Sequence, residues 1–197
     1  RVKEETLSSL RNFRSPTHNK EVLRILEIGI GSGTNFKYYP FRSTVIGVDP
    51  NANFASALAK NVKKHNIDFE KLFHIKAEDM SEISDESVDV VITTFVICSV
   101  SDPDLVLKQI ARVLRKQGRY YFIEHGAFRV YRFGNFVQWL LKPMFYYFGC
   151  GCNNDRRIDN FFYNSNCFSN INLNYNELKL FGMTIPIFPH YYGIAEK

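Results

Sequence analysis

The stretch Arg24-Ile25-Leu26-Glu27-Ile28-Gly29-Ile30-Gly31-Ser32-Gly33-Thr34-Asn35 constrains the fold of this chain more than any other. An apolar run of strand length ends in three alternate glycines. Val45-Ile46-Gly47-Val48-Asp49 then follows as a second short apolar run closing on an acid. Strand, glycine turn and strand in that order describe a nucleoside-binding βαβ unit, because glycines let the backbone approach a ligand with no Cβ in the way. Asp49, at the end of the second strand, is placed to accept hydrogen bonds from ribose hydroxyls.

The glycine spacing narrows the ligand. A dinucleotide site asks for G-x-G-x-x-G, so that a helix N-terminus meets a pyrophosphate. Counted from Gly29 or Gly31, the third glycine of that pattern is replaced by Thr34 or Phe36. The pattern present is E-x-G-x-G-x-G, with Glu27 just before the loop. An acid there repels a pyrophosphate but suits the ammonium end of S-adenosylmethionine (SAM), directly or through water. The chain reads as a SAM-dependent methyltransferase.

The rest of the pattern is that of an α/β sheet. Strands are expected at Leu23–Ile28, Thr44–Val48, Leu72–Lys76, Val88–Thr93 and Tyr120–Ile123. A helix is expected from about Ala52 to Lys64, with Asn51 as its N-cap. Another starts at Ser101-Asp102-Pro103 and keeps Val106, Ile110, Val113 and Leu114 on one face until Gly118 stops it. Thr6-Leu7-Ser8-Ser9-Leu10 reads as a short helix before the breaker Pro16. Strands alternating with helices imply a mostly parallel sheet covered on both faces, with ligands beyond the carboxyl ends of its strands. After His125 the pattern changes. Phe128–Phe148 is dense in aromatics and holds Pro143; it is either a helix packed on the sheet and ended near Leu141-Lys142, or an apolar lid or membrane-contacting face. Asn153–Asn176 reads first as loop. Ile171–Leu178 and Tyr191–Ala195 are candidates for the final two strands, joined through a Pro186…Pro189 turn.

At 197 residues and 45% hydrophobic content the chain suits one domain, with residues 1–22 as lead-in and 126–167 as a variable acceptor or lid region. Its charge of +5 is compatible with an anionic membrane surface but too small to argue for a partner. No basic stripe with interleaved aromatics points to nucleic acid. Four cysteines (Cys98, Cys150, Cys152, Cys167) show neither C-x-x-C nor paired histidine spacing, which argues against zinc and any other metal. No run approaches the roughly 18–20 apolar residues that span a bilayer. A start at Arg1 leads us to expect a missing N-terminal segment, such as a signal or an anchor.

Several residues converge just past the expected strands. Glu27, Gly29, Gly31, Gly33 and Asp49 are the cofactor candidates already described. In Glu78-Asp79-Met80 a carboxylate can accept from the adenine amino group and Met80 can pack on the ring, or the segment is a solvated acidic turn. Thr94-Phe95 lines the methionine side of the site or fills core. His125, next to Glu124 at the end of the fifth strand, is the candidate to take a proton from a nucleophile near neutral pH; the alternative is a hydrogen bond to the following loop. Cys98 reads as a core residue and Cys150-Gly151-Cys152 as a loop near the pocket.

Taken together, these segments resemble the methyltransferase-like thiol S-methyltransferases, a membrane-associated branch of the class I SAM methyltransferases. Leu26-Glu27-Ile28-Gly29…Gly31-Ser32-Gly33-Thr34-Asn35-Phe36-Lys37-Tyr38-Tyr39-Pro40 is similar to that branch's L-E-x-G-x-G-x-G-x-N-F-x-x-Y-P, and Val48-Asp49-Pro50-Asn51 with Phe54 to its D-P-N-x-x-F. Ala77-Glu78-Asp79-Met80, Ser87-Val88-Asp89-Val90-Val91 and Val96-Ile97-Cys98-Ser99-Val100 resemble its G-E-D-M, S-V-D-V-V and V-L-C-S-V. Glu124-His125, Gly151-Cys152 with Arg156, and Pro189-His190…Gly193…Ala195…Lys197 resemble its E-H, G-C…R and P-H-x-x-G-x-A-x-K. The departures are Lys116-Gln117-Gly118 for P-G-G, Ala77 for a glycine, and a stretch from Ala127 to Phe148 that keeps Trp139 and Pro143 but little else.

The resemblance implies a Rossmann-like, mostly parallel seven-stranded sheet, with Asn35 and Pro50 joining the cofactor-binding set and His125 and Glu124 at the acceptor. It implies methyl transfer from SAM to the sulfur of a small alkyl thiol, on the cytosolic face of the endoplasmic reticulum membrane or of lipid droplets. Two rivals remain at this stage: methylation of carbon or oxygen on a quinone-like or lipid acceptor, and a non-catalytic membrane scaffold.

Overall fold

The computed structural model describes residues 2–15, 22–149, 151–180, 183–185 and 189–197. Pro16 and Pro186, expected as a breaker and a turn residue, lie outside them. The parallel strands are β1 (Leu23–Ile28), β2 (Ser43–Val48), β3 (Asp68–Phe73), β4 (Val88–Thr94) and β5 (Leu114–His125). With β6 (Asn170–Asn176) and β9 (His190–Glu196) they form one seven-stranded sheet in the order β3-β2-β1-β4-β5-β9-β6, the last two joining antiparallel. A separate pair, β7 (Lys179–Leu180) and β8 (Met183–Thr184), lies between β6 and β9 in the chain.

Alternation along the strands builds a core on each face. Leu23, Ile25, Val45, Val90 and Ile92 join one cluster with Leu7 and Leu58; Leu26, Ile28, Ile46, Val48 and Val91 join the other with Val106, Ile110 and Val113. Leu7 belongs to helix α1 (Val2–Leu7), Leu58 to α2 (Ala55–His65) and the last three residues to α3 (Pro103–Val113). Helices therefore cover both faces, as parallel strands require. Asp102 caps α3 by accepting from the N–H of Leu105 at 2.9 Å. Asp89 tolerates its place in a buried strand because Arg24 N–H, Arg115 and Ser15 all donate to it. Burial alone would raise its pKa, but those hydrogen bonds hold it below the usual value.

Several expected boundaries move. α2 begins at Ala55, after a 3-10 turn over Ala52–Phe54 that Asn51 caps, and β5 begins at Leu114 rather than Tyr120. β3 comes earlier than Leu72–Lys76, because pairing with β2 begins at Asp68 and Leu72 and Phe73 are its last two rungs. α3 ends at Val113 rather than running to Gly118, because Leu114 already pairs with Val88. The first helix begins at Val2 and gives way to a 3-10 turn over Ser8–Asn12. In the asparagine-rich stretch the strand expected at Ile171–Leu178 is β6, whose Asn-Ile-Asn-Leu-Asn-Tyr-Asn alternates exposed and half-buried positions, and the one expected at Tyr191–Ala195 is β9; α5 (Ile158–Asn164) stands where loop was expected.

The aromatic segment forms α4 (Arg132–Phe148), which continues through Pro143 instead of stopping before it. Pro143 and Trp139, whose carbonyl loses its helical partner, both carry exposed side chains, so solvent can satisfy that carbonyl. One side of α4 is fixed to the segments that follow β5 and α4 by buried Gln138, whose Nε2 donates to the carbonyls of Gly126 (3.0 Å) and Asn154 (2.9 Å). The other presents Phe133, Phe136, Trp139, Leu140 and Met144 to solvent. Among the described residues no helix is long and apolar enough to cross a membrane.

Candidate active site

A cavity of about 670 Å³ opens at the carboxyl ends of β1, β2, β4 and β5. That is within the roughly 300–1,000 Å³ of small-molecule sites. Gly29, Gly31, Asp49, Pro50, Glu78, Thr94, Phe95 and His125 all line it. The glycine loop has φ of +68° at Gly29, +52° at Gly31 and +77° at Gly33, conformations that L side chains rarely adopt. A Cβ on Gly31 would meet no protein atom within 4 Å and would point into open cavity, whereas one on Gly33 would strike the Phe36 ring at 2.4 Å. Gly31 thus keeps space for a ligand, and Gly33 keeps space for a side chain of the protein.

Asp49 holds this loop as well as facing the cavity. Its Oδ2 accepts from Gly31 N–H at 2.8 Å and its Oδ1 from Asn51 N–H at 2.9 Å. Each carboxylate oxygen has a second lone pair for a ribose hydroxyl. Asp49→Ala is expected to weaken SAM binding by roughly 1–3 kcal/mol, since charge-assisted hydrogen bonds are lost. Calorimetry showing unchanged affinity would remove Asp49 from the ribose site. Glu78 lines the cavity from the β3 side, and its Oε1 accepts from the N–H of Ser101 at 2.8 Å, tying the two rims together.

Six expected site residues are placed elsewhere. Glu27 does not reach the cavity: it is 2% exposed, and it accepts from Asn35 Nδ2 at 2.7 Å and from the Tyr39 hydroxyl. Asn35 also donates to Thr94 Oγ1 at 3.0 Å and accepts from Lys3 Nζ at 2.9 Å, so it braces the loop from behind. Gly33 turns the loop against Phe36. Asp79 is exposed and accepts from the Ser81 hydroxyl, and Met80 is wholly buried in the core; neither lines the cavity. Glu124 is also wholly buried, accepting from Thr93 Oγ1 (2.8 Å) and from the N–H groups of Val96 and Cys98 (3.2 Å each). It positions the turn after β4 and does not line the cavity.

Burial raises the Glu27 pKa from 4.5 to about 7, even though the hydrogen bonds from Tyr39 and Asn35 and the charge of Lys3 pull it down. The folded state therefore holds a proton that the unfolded chain has released between those values. Stability from this group is complete below about pH 4.5 and is lost as pH rises through 7, a swing of about 3 kcal/mol. Glu27→Gln is expected to remove that share of the pH dependence; parallel wild-type and variant melting curves from pH 5 to 8 would refute the assignment.

The β5 end of the cavity has a different character. The His125 ring stacks on Phe95, centroids 4.1 Å apart, and Phe95 itself sits at φ +61°, a conformation rare for a bulky residue. Cys152 Sγ lies 3.7 Å from His125 Nδ1 and 3.6 Å from Cys98 Sγ. The Cys152 thiol is pulled below its usual range, first by the hydrogen bond with Cys98 and further by His125 and Arg156, while the Cys98 thiol is pushed up. Both cysteines line the cavity, and Cys98 is also wholly buried, as its reading as a core residue expects. Local spacing held no signal for this cluster, since its members lie on three separate segments.

The methyltransferase domain family matches residues 26–122, from β1 to β5. Human thiol S-methyltransferase TMT1A is 35% identical over 196 residues, covering 99% of this chain and 78% of that protein. The chain belongs to the thiol S-methyltransferase family. It is a SAM-dependent methyltransferase, and the non-catalytic scaffold reading is set aside. Mouse thiol S-methyltransferase TMT1B is 37% identical over 126 residues, a stretch that is 64% of this methyltransferase and 50% of the mouse protein. In fold, the methyltransferase is similar to a putative methyltransferase from Bacillus halodurans (TM-score 0.73, 11% identity, 98% of this chain and 97% of that one). The residues present fit SAM: Gly31 opens backbone to the cavity, Asp49 offers an acceptor, and Phe54 and Val48 give apolar walls.

Proposed function

We propose that this methyltransferase acts on the sulfur of a small, apolar alkyl thiol, at the endoplasmic reticulum membrane or the surface of lipid droplets. The observation that carries the thiol reading is the β5 end of the cavity, where His125 and two cysteines stand among Phe95, Val96 and Phe145. Apolar walls favour an apolar acceptor, and an imidazole there favours one that must lose a proton. The names of the relatives point to the same acceptor. The membrane location rests on the family resemblance, and the exposed aromatic side of α4 suits it.

SAM supplies a sulfonium methyl: the acceptor sulfur bonds to that carbon as the carbon–sulfonium bond breaks, leaving a methyl thioether and S-adenosylhomocysteine. The protein aligns the reactants and keeps water out. An alkyl thiol with a pKa of about 8.5, like that of cysteine, is only a few per cent thiolate at neutral pH. The task left to His125 and its neighbours is to raise the thiolate fraction. A SAM-dependent assay on a panel of thiols, with a phenol and a quinone alongside, tests the reading by mass detection of product. Methylation confined to the oxygen or carbon acceptors would overturn it.

A further inference from the structure

We propose that Cys98, Cys152 and His125 bind a zinc ion whose fourth position faces the cavity and takes the acceptor sulfur. The inference rests on the thiol reading above and adds to it how the acceptor is held and ionised.

The geometry carries the argument. The three donor atoms lie within 4.8 Å of one another. The Cys98–Cys152 edge is 3.6 Å and the Cys152–His125 edge 3.7 Å. Tetrahedral zinc, with bonds of about 2.3 Å to sulfur and about 2.0–2.1 Å to nitrogen, sets ligand edges of about 3.8 Å between sulfurs and about 3.6 Å between sulfur and nitrogen. These two edges match those values, and the third, between Cys98 and His125, lies within 4.8 Å. Two thiolates and one imidazole also form a known catalytic zinc set, three protein ligands with an open fourth position. All three residues line the cavity, so the open position has access to a small molecule.

The surroundings fix the ligands as a metal site needs. Glu124 accepts the N–H of Cys98, and Asn153 N–H donates to the Cys98 carbonyl at 2.9 Å, joining the two cysteine segments. The Arg156 guanidinium donates to the carbonyl of Ile97 at 2.7 Å and stands close enough to Cys152 to offset its charge. Stacking on Phe95 holds the His125 ring plane.

The chemistry balances. As the acceptor thiol coordinates, a zinc–sulfur bond forms and its S–H proton passes to water, because a thiol bound to zinc is deprotonated outright. The sulfur then takes the methyl group and, as a neutral thioether, becomes a poor ligand and leaves. The metal stays in one oxidation state throughout.

The full chain, isolated with zinc in the medium and freed of loosely held metal, is expected to retain about one zinc per chain. Cys152→Ser should reduce that to background, while Cys167→Ser, whose thiol lies outside the cluster, should not. Cobalt in place of zinc should give a thiolate-to-metal charge-transfer band in wild type, a readout independent of turnover and of any variant. Chelated protein should keep its SAM affinity, lose thiol turnover and regain it with added zinc. Absence of both retained zinc and the cobalt band overturns the site. Full-rate methylation by metal-free protein overturns the metal's role and leaves the thiol reading standing. Zinc and SAM both bound, with no thiol methylated, overturns the thiol reading and the acceptor role with it.

Discussion

Gly31→Val is expected to abolish SAM binding while leaving a folded chain. The space into which a Cβ would project at Gly31 holds no protein atom within 4 Å, so the new side chain meets the ligand and not the core. The cost to folding is that of a β-branched residue held at φ +52°, about 1–3 kcal/mol for such a conformation. Calorimetry should find no measurable SAM binding, and a thermal melt should remain cooperative with a lowered midpoint. Wild-type affinity in this variant would take the glycine loop out of the cofactor site.

Replacing His125 by alanine tests the other end of the cavity. SAM affinity should stay near wild type, because the glycine loop and Asp49 are untouched. Thiol turnover near neutral pH should fall by about 10²–10⁴, the usual worth of a group that promotes proton loss. The deficit should shrink as pH rises toward the pKa of the acceptor, where the thiol ionises unaided, and should be smaller for a more acidic thiol. An equal loss at every pH and for every thiol would show that the imidazole only supports the loop. His125 as direct base and His125 as zinc ligand predict the same trend, and metal content separates them.

The parts of this site legible in the sequence are those encoded in one short stretch. Three glycines after an apolar strand, and an acid at the next strand end, announce their own backbone geometry, and Gly31 and Asp49 face the cavity as that reading requires. Direction was harder to read. Glu27 sits beside Ile28, which lines the cavity, yet it turns away, because successive side chains near a strand end point to opposite sides. Glu124 is a neighbour of His125 and is buried for the same reason. Met80 lies in the turn after β3 and is buried in the core. The Cys98–His125–Cys152 cluster was illegible, since only the turn after β4, the end of β5 and the turn after α4 together create it. In the asparagine-rich region the strand expected at Ile171–Leu178 is β6, while a composition that suggested loop hid α5.

The strand order carries a consequence for folding. β6 lies at the rim of the sheet with β9 as its one neighbour, and β9 is inserted between it and β5. β6 therefore precedes in the chain the strand that receives it, and until β9 is in place the flank of β5 is also unpaired. Every rung from Arg119↔Glu196 to His125↔His190 must wait for the stretch 190–196. Such late, non-local pairing is slow and leaves strand edges open to wrong partners.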